Sequence, residues 1–130
     1  MGIERAPHAG PVPAAAWAAD AEARQERGRV GILNATRPGG LDGRTMDLAH
    51  CEAMRTHILE MIDDEADDNG TIRLHLVVDA VQDRFGNHEL FPNGRLTDSV
   101  RYTKIDLEAR CEVERIPRSS PQRIVRWRSK

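Results

Sequence analysis

Apolar residues return at three- and four-residue spacing in three stretches of the chain, and closer to every second residue at its end. Leu48, Cys51, Met54, Ile58, Leu59 and Ile62 fall on one helical face, which predicts a helix capped by Thr45 or Asp47 and ending near Asp63. Leu74, Val77, Val78, Val81 and Phe85 predict a second helix, stopped by Gly86. Pro92, Asn93 and Gly94 mark a turn. A third helix comes next, with Thr97 and Asp98 as caps and Val100, Tyr102, Ile105, Leu107 and Ala109 facing the core. Then come a strand (EVERI), a turn (PRSSP) and a second strand (QRIVRW). The first strand holds Val113 and Ile116; on the second Val125 and Trp127 alternate with Ile124, Arg126 and Arg128, which leaves Ile124 out of step on the arginine side.

Upstream, Val30 to Leu33 reads as a lone strand, and Thr71 to Arg73 as another short one. Thr36 to Arg44 holds Pro38, Gly39, Gly40 and Gly43 and reads as loop. Three helices followed by a hairpin make an α+β chain with the layout of a winged helix-turn-helix, the C-terminal β-hairpin being the wing, plus a short N-terminal strand. That domain is expected over residues 29–130. Residues 1–28 are expected to be a flexible or partly helical arm. Pro7, Gly10, Pro11 and Pro13 break its start, and Ala14 to Arg27 is alanine-rich with Trp17 as its one docking hint.

Composition narrows the class. At 130 residues, 39% hydrophobic and 4% aromatic, the chain can build one modest core of Leu, Ile, Val and Met. It has no run of apolar residues long enough to span a bilayer and no signal-like start. Two cysteines, Cys51 and Cys111, are too few for a disulfide framework or a zinc cluster. The expectation is a cytoplasmic protein. The net charge of −2 conceals an asymmetry. Residues 42–69 hold nine acidic and two basic residues, and residues 95–130 hold ten basic and five acidic. A basic C-terminal surface of that kind suits phosphate.

No catalytic residue and no cofactor is expected. The five histidines are scattered, and the chain carries no HExxH, GxSxG or CxxC. His50 and His57 share a helix but are two turns apart, about 10 Å of rise, too far to ligate one metal. RPGGLDGRT lacks the spacing and the lysine of a phosphate-binding loop. The acidic DDEADDNG stretch, read from Glu65 as a calcium loop, puts Leu76 where the bidentate acid belongs, so no metal is expected there. The candidate chemistry is nucleic-acid contact. Arg95, Arg101 and Lys104 would approach the major groove from the third helix, where Arg101, Lys104 and Glu108 share a row. Arg118 and Arg123 would touch the DNA backbone or minor groove from the wing, where the Ser119 and Ser120 hydroxyls would add phosphate hydrogen bonds. Asp98, Asp106, Glu108, Glu112 and Glu114 oppose that field, which keeps a protein-interaction module without nucleic acid as the alternative.

Several motifs carry a resemblance: Leu33, Asn34, Pro38 and Gly39; Glu52 to Arg55; Leu90, Phe91, Pro92 and Gly94; Asp106 to Ala109; and Ser120 to Arg123. With these the chain resembles an uncharacterised family of small bacterial proteins over about residues 30–127. The resemblance implies a winged-helix-like domain and no established activity. The LEA-x-x-x-VER pattern from Leu107 is also similar to that of bacterial winged-helix regulators, in which the residue after the helix is often glycine; here it is Cys111. The expected function is therefore a small DNA-binding transcriptional regulator, acting on duplex DNA as a homodimer.

Overall fold

The computed structural model describes residues 12–86 and 96–127. Arg95 and the LFP-x-G turn lie outside them. The described residues form α1 (Ala14–Arg27), β1 (Arg29–Leu33), β2 (Leu41–Asp47), α2 (Leu48–Glu65), β3 (Thr71–Arg73), α3 (Leu74–Phe85), α4 (Thr97–Ala109), β4 (Val113–Arg115) and β5 (Arg123–Arg126). The chain is thus α+β, with four helices and two small antiparallel sheets among these residues. One sheet is the β1–β2 hairpin; the other has the order β3-β5-β4.

The stretch expected to be loop, Thr36 to Arg44, instead turns the chain into β2, so β1 is not a lone strand. Asn34 is the reason. Its side-chain oxygen accepts from the Thr36 N–H at 3.0 Å and the Thr36 hydroxyl at 2.6 Å, and its amide donates to Asp42 at 3.0 Å. Gly39 and Gly40 then take φ of 79° and 74°, a left-handed path that only glycine follows cheaply. At Gly40 a side chain is excluded twice over, because a Cβ there would sit 2.8 Å from Pro13 and 2.9 Å from Val12. The glycines that suggest loop are what let the hairpin reverse beneath the start of α1.

α2 begins as expected at Asp47, whose carboxylate accepts from the N–H groups of Ala49 and His50. α4 does not use the expected caps. Thr97 and Asp98 lie inside its first turn, and Leu96, which holds the cap position, makes no side-chain cap bond. Leu96 is buried, and its own N–H donates to the Gln82 side chain. Packing, in place of a capping side chain, fixes the start of this helix.

One core joins α2, α3, α4, β1 and the three-stranded sheet, built on Ile32, Met54, Ile58, Val77, Val81, Leu107 and Ile124. Burying each such side chain contributes about 1.5–3 kcal/mol. Ile124 is buried beside Val125, which explains its broken alternation: β5 is the central strand and both faces are covered there. Cys51 lies in this core, and burial pushes its thiol up to about 12, so it is a small hydrophobe, not a nucleophile.

α1 buries Ala16, Asp20 and Ala23, and Trp17 stays 41% exposed. The small residues let the helix lie close on β1, so its buried face is mostly alanine, while the half-exposed Trp17 ring lies against the Arg110 guanidinium, whose carbon is 5.2 Å from the ring centroid. At the centre of the contact is a buried charge cluster. Asp20 accepts from the Gly31 N–H at 3.0 Å, from Arg24 at 3.0 Å and from Arg110 at 2.9 Å. Arg110 also donates to Asp106 at 2.7 Å, and the other Asp106 oxygen accepts from the Leu33 N–H at 2.9 Å. Two carboxylates thereby satisfy two β1 N–H groups that β2 does not reach. Burial pushes Asp106 up, against the downward pull of Arg110. The Arg84–Glu60 pair, 57% exposed on both sides, contributes about 0–1 kcal/mol at most. Removing one member of a buried set costs about 3–5 kcal/mol. Asp20→Ala is therefore expected to lower unfolding free energy by roughly 3 kcal/mol in urea titration; a loss below about 1 kcal/mol would show that α1 is dispensable.

His57 sets a pH dependence. It is buried; its Nδ1 accepts from Arg84 at 3.1 Å, and its Nε2 has no hydrogen-bond partner. Burial first, and the Arg84 charge second, hold its pKa below the ordinary value of 6.5. A depressed pKa gives stability that is complete above the unfolded value and is lost as pH falls through the folded one. Stability should decline from pH 7 to 5 more steeply in the native protein than in His57→Gln. Parallel curves in chemical denaturation would contradict this.

Candidate functional site

The candidate residues are expected on the third helix and the hairpin wing, and that helix, α4, is covered on most sides. It packs on α2, α3, β1 and β4. Val100, Thr103, Lys104, Asp106, Leu107 and Ala109 are all buried. No single apolar face exists on such a helix, so its polar residues are buried with partners instead. Thr103 donates to Met46 Sδ at 3.5 Å. Lys104, expected beside Arg101 on an outward row, is only 7% exposed. Its Nζ donates to Glu108 at 3.2 Å and to Gln122 at 2.9 Å, tying α4 to the loop that enters β5. What α4 leaves to solvent is its first turns: Thr97, Asp98 and Arg101.

The helix ends in a motif that aims the hairpin. The Cys111 N–H donates to the Glu108 carbonyl at 3.2 Å and the Glu112 N–H to the Leu107 carbonyl at 2.9 Å, the paired bonds of a Schellman ending. Cys111 takes φ of 61°, the conformation for which glycine is the usual residue. The tight turn forms with cysteine in place, at a conformational cost. Cys111→Gly is expected to raise stability by about 1 kcal/mol, read as a higher thermal midpoint. An unchanged or lower midpoint would mean that the thiol's contacts outweigh the strain.

In the hairpin loop Ser119 has a closing role. Its hydroxyl donates to the Ile116 carbonyl at 2.7 Å and accepts from the Arg123 N–H at 2.9 Å, so its one proton is already used. Arg118 and Ser120 are exposed at the tip, Arg118 with φ of 57°. Arg123 is half-buried on β5 and reaches Asp67 at 3.4 Å and the Thr71 hydroxyl at 3.3 Å. Asp67 itself is an internal acceptor. It takes the N–H groups of Asn69 and Thr71 and the Thr71 hydroxyl, which hold its carboxyl below the ordinary carboxylate range. The acidic loop is thus the turn that opens β3.

The seven expected contact residues are divided among several places. Arg101 lies on α4, and Arg118 and Ser120 lie at the hairpin tip. Lys104, Ser119 and Arg123 are bonded within the fold, and Arg95 is outside the described residues. Beside Arg101 the structure forms a groove of about 450 Å³. Leu74 and Val78 of α3, Ile105 of α4 and Pro121 of the hairpin give it an apolar floor. Arg101, Lys104 and His75 supply its polar edge. The groove is invisible in the sequence because its walls are far apart in the chain.

A family pattern matches residues 29–124, from the first residue of β1 into β5. The chain belongs to the family of unknown function DUF6958. No curated protein and no solved structure matches it. The DUF6958 match includes the Asn34 hairpin, Asp106, Arg110 and the groove, and it excludes α1 with Asp20.

Proposed function

We propose that this DUF6958 member is a winged-helix DNA-binding protein, a small transcriptional regulator without catalytic activity that acts as a homodimer. The observation that carries the reading is topological. The order α2–β3–α3–α4–β4–β5, with β3-β5-β4 as the strand order, supports a winged helix in which α4 is the reading helix and β4–β5 the wing. α1 and the β1–β2 hairpin would then be additions in front of it. The exposed part of α4 is its N-terminal end, the part that meets base edges in helix-turn-helix proteins. Arg101 would contact the major groove, and Arg118 and Ser120 a phosphate. Homodimerisation is expected from the paired half-sites such proteins read.

One observation favours a protein-interaction module instead. Much of the C-terminal basic charge is already matched: Arg110 by Asp20 and Asp106, Lys104 by Glu108, Arg123 by Asp67 and Arg126 by Asp63. Among the described residues of the 95–130 stretch, at least four of the seven cations are matched in this way, so non-specific DNA affinity should be weak. Fluorescence anisotropy with random-sequence duplex DNA separates the readings. The DNA reading expects micromolar binding at low salt that weakens steeply toward physiological salt. Arg101→Ala and Arg118→Ala should each flatten the log–log salt slope by about 1. Absence of binding at low salt would retire the DNA reading in favour of the interaction module. Binding unchanged in both variants would place the DNA on another face.

A further inference from the structure

We propose that the groove between α3, α4 and the loop end of the β4–β5 hairpin is a binding site for a small organic anion, an aromatic or branched aliphatic carboxylate. This goes beyond the DNA reading and does not depend on it. The groove's volume of about 450 Å³ lies within the span of small-molecule sites, roughly 300–1,000 Å³. Its composition also fits such sites, which combine an apolar lining with a few placed polar groups. Leu74, Val78, Ile105 and Pro121 offer the surface for a hydrocarbon body.

The charge on the groove decides for an anion. Among the described residues no carboxylate pairs with Arg101, which is exposed on the groove's edge. A guanidinium presents its N–H groups as a planar fork that matches a carboxylate. Lys104 stands one turn along the same helix, with two of its three N–H donors held by Glu108 and Gln122. Those two bonds fix the ammonium in place beside the groove, so it is positioned before a ligand arrives. Thr97, in the first turn of α4 where the cap residue Leu96 offers no side-chain bond, also lines the groove, and the helix dipole there adds positive potential. Two carboxylates oppose it: Glu108, already bonded to Lys104, and Asp98 in the first turn. Neither is part of the groove lining, and among the described residues that line it there is no carboxylate to attract a cation.

The test is a titration of the full-length, ¹⁵N-labelled protein with naphthalene-2-carboxylate, followed by amide chemical shifts. Naphthalene-2-methanol serves as the uncharged probe of similar shape. The proposal expects saturable shifts at Val78, Arg101, Ile105 and Gln122, with the alcohol binding at least about tenfold more weakly, since a charge-assisted bidentate contact is lost. Arg101→Gln, at an exposed position, should weaken the carboxylate by about tenfold and leave the alcohol unchanged. Val78→Trp, which fills the groove, should abolish both. Equal affinity for the two probes would overturn the anion assignment. Shifts confined to other parts of the molecule, or none at millimolar probe, would overturn the site. The titration contains no nucleic acid, so its failure leaves the DNA reading standing, and absent DNA binding leaves the groove standing.

Discussion

Arg110 and the two aspartates it joins are the constraint on which this fold depends. Asp20 comes from α1 and Asp106 from α4, and both also hold β1 N–H groups. β1 has β2 on one edge only, so its other edge would present unpaired donors to the interior. An additional strand would cover them in most sheets. Here two carboxylates do so, and their charge is tolerable because one guanidinium lies between them. Burial works against Arg110 staying charged, but its bonds to Asp106 and Asp20 outweigh this and raise its pKa above the ordinary value. The three elements are thus fastened by groups that would each be costly to bury alone.

That dependence bears on the domain boundary. The family pattern begins at residue 29, after α1. A chain cut there keeps Asp106 and Arg110 but loses the Asp20 carboxylate from Gly31 and Arg110. The residues leading into α1 also cover Gly40, with Val12 and Pro13 within the distance at which a Cβ would clash. α1 is therefore structurally continuous with the β1–β2 hairpin and α4, although its composition resembles that of a loose arm. Helix propensity and the lack of an apolar stripe were both legible. What could not be read was that alanine packs by being small, and that an aspartate in such a helix has partners 11 and 90 residues away.

Elsewhere the sequence was legible where structure is local. The apolar spacing located α2, α3, α4 and the final hairpin, and Asp47 caps α2 as its position suggests. The Asn34 turn was not legible, because Pro38, Gly39 and Gly40 signal a reversal without saying that a strand continues after it. α4 misled for a different reason. Amphipathic reading assumes one buried face, and this helix has α2, α3, β1 and β4 around it. Lys104 and Asp106 then look like surface charges although they are buried with partners. The i,i+4 spacing of Asp106–Arg110 and Lys104–Glu108 was visible, but such spacing occurs equally on solvated helices.

The same crowding limits what α4 can recognise. A helix surrounded by four elements has few side chains left to contact a ligand, and those left lie near its N-terminus. Thr97 and Arg101 there face both the solvent and the groove. Lys104, held from two sides, cannot swing outward without breaking the bond to Gln122 that ties the hairpin to the helix. Any ligand that engages Lys104 must therefore come to it, into the groove, whereas a ligand that stays outside meets Arg101 and the hairpin tip. On the two proposals, a duplex would lie on the outer surface and a compact anion in the inner one. Both would use Arg101, so an occupant of the groove would compete for the one arginine on α4 that a duplex could reach.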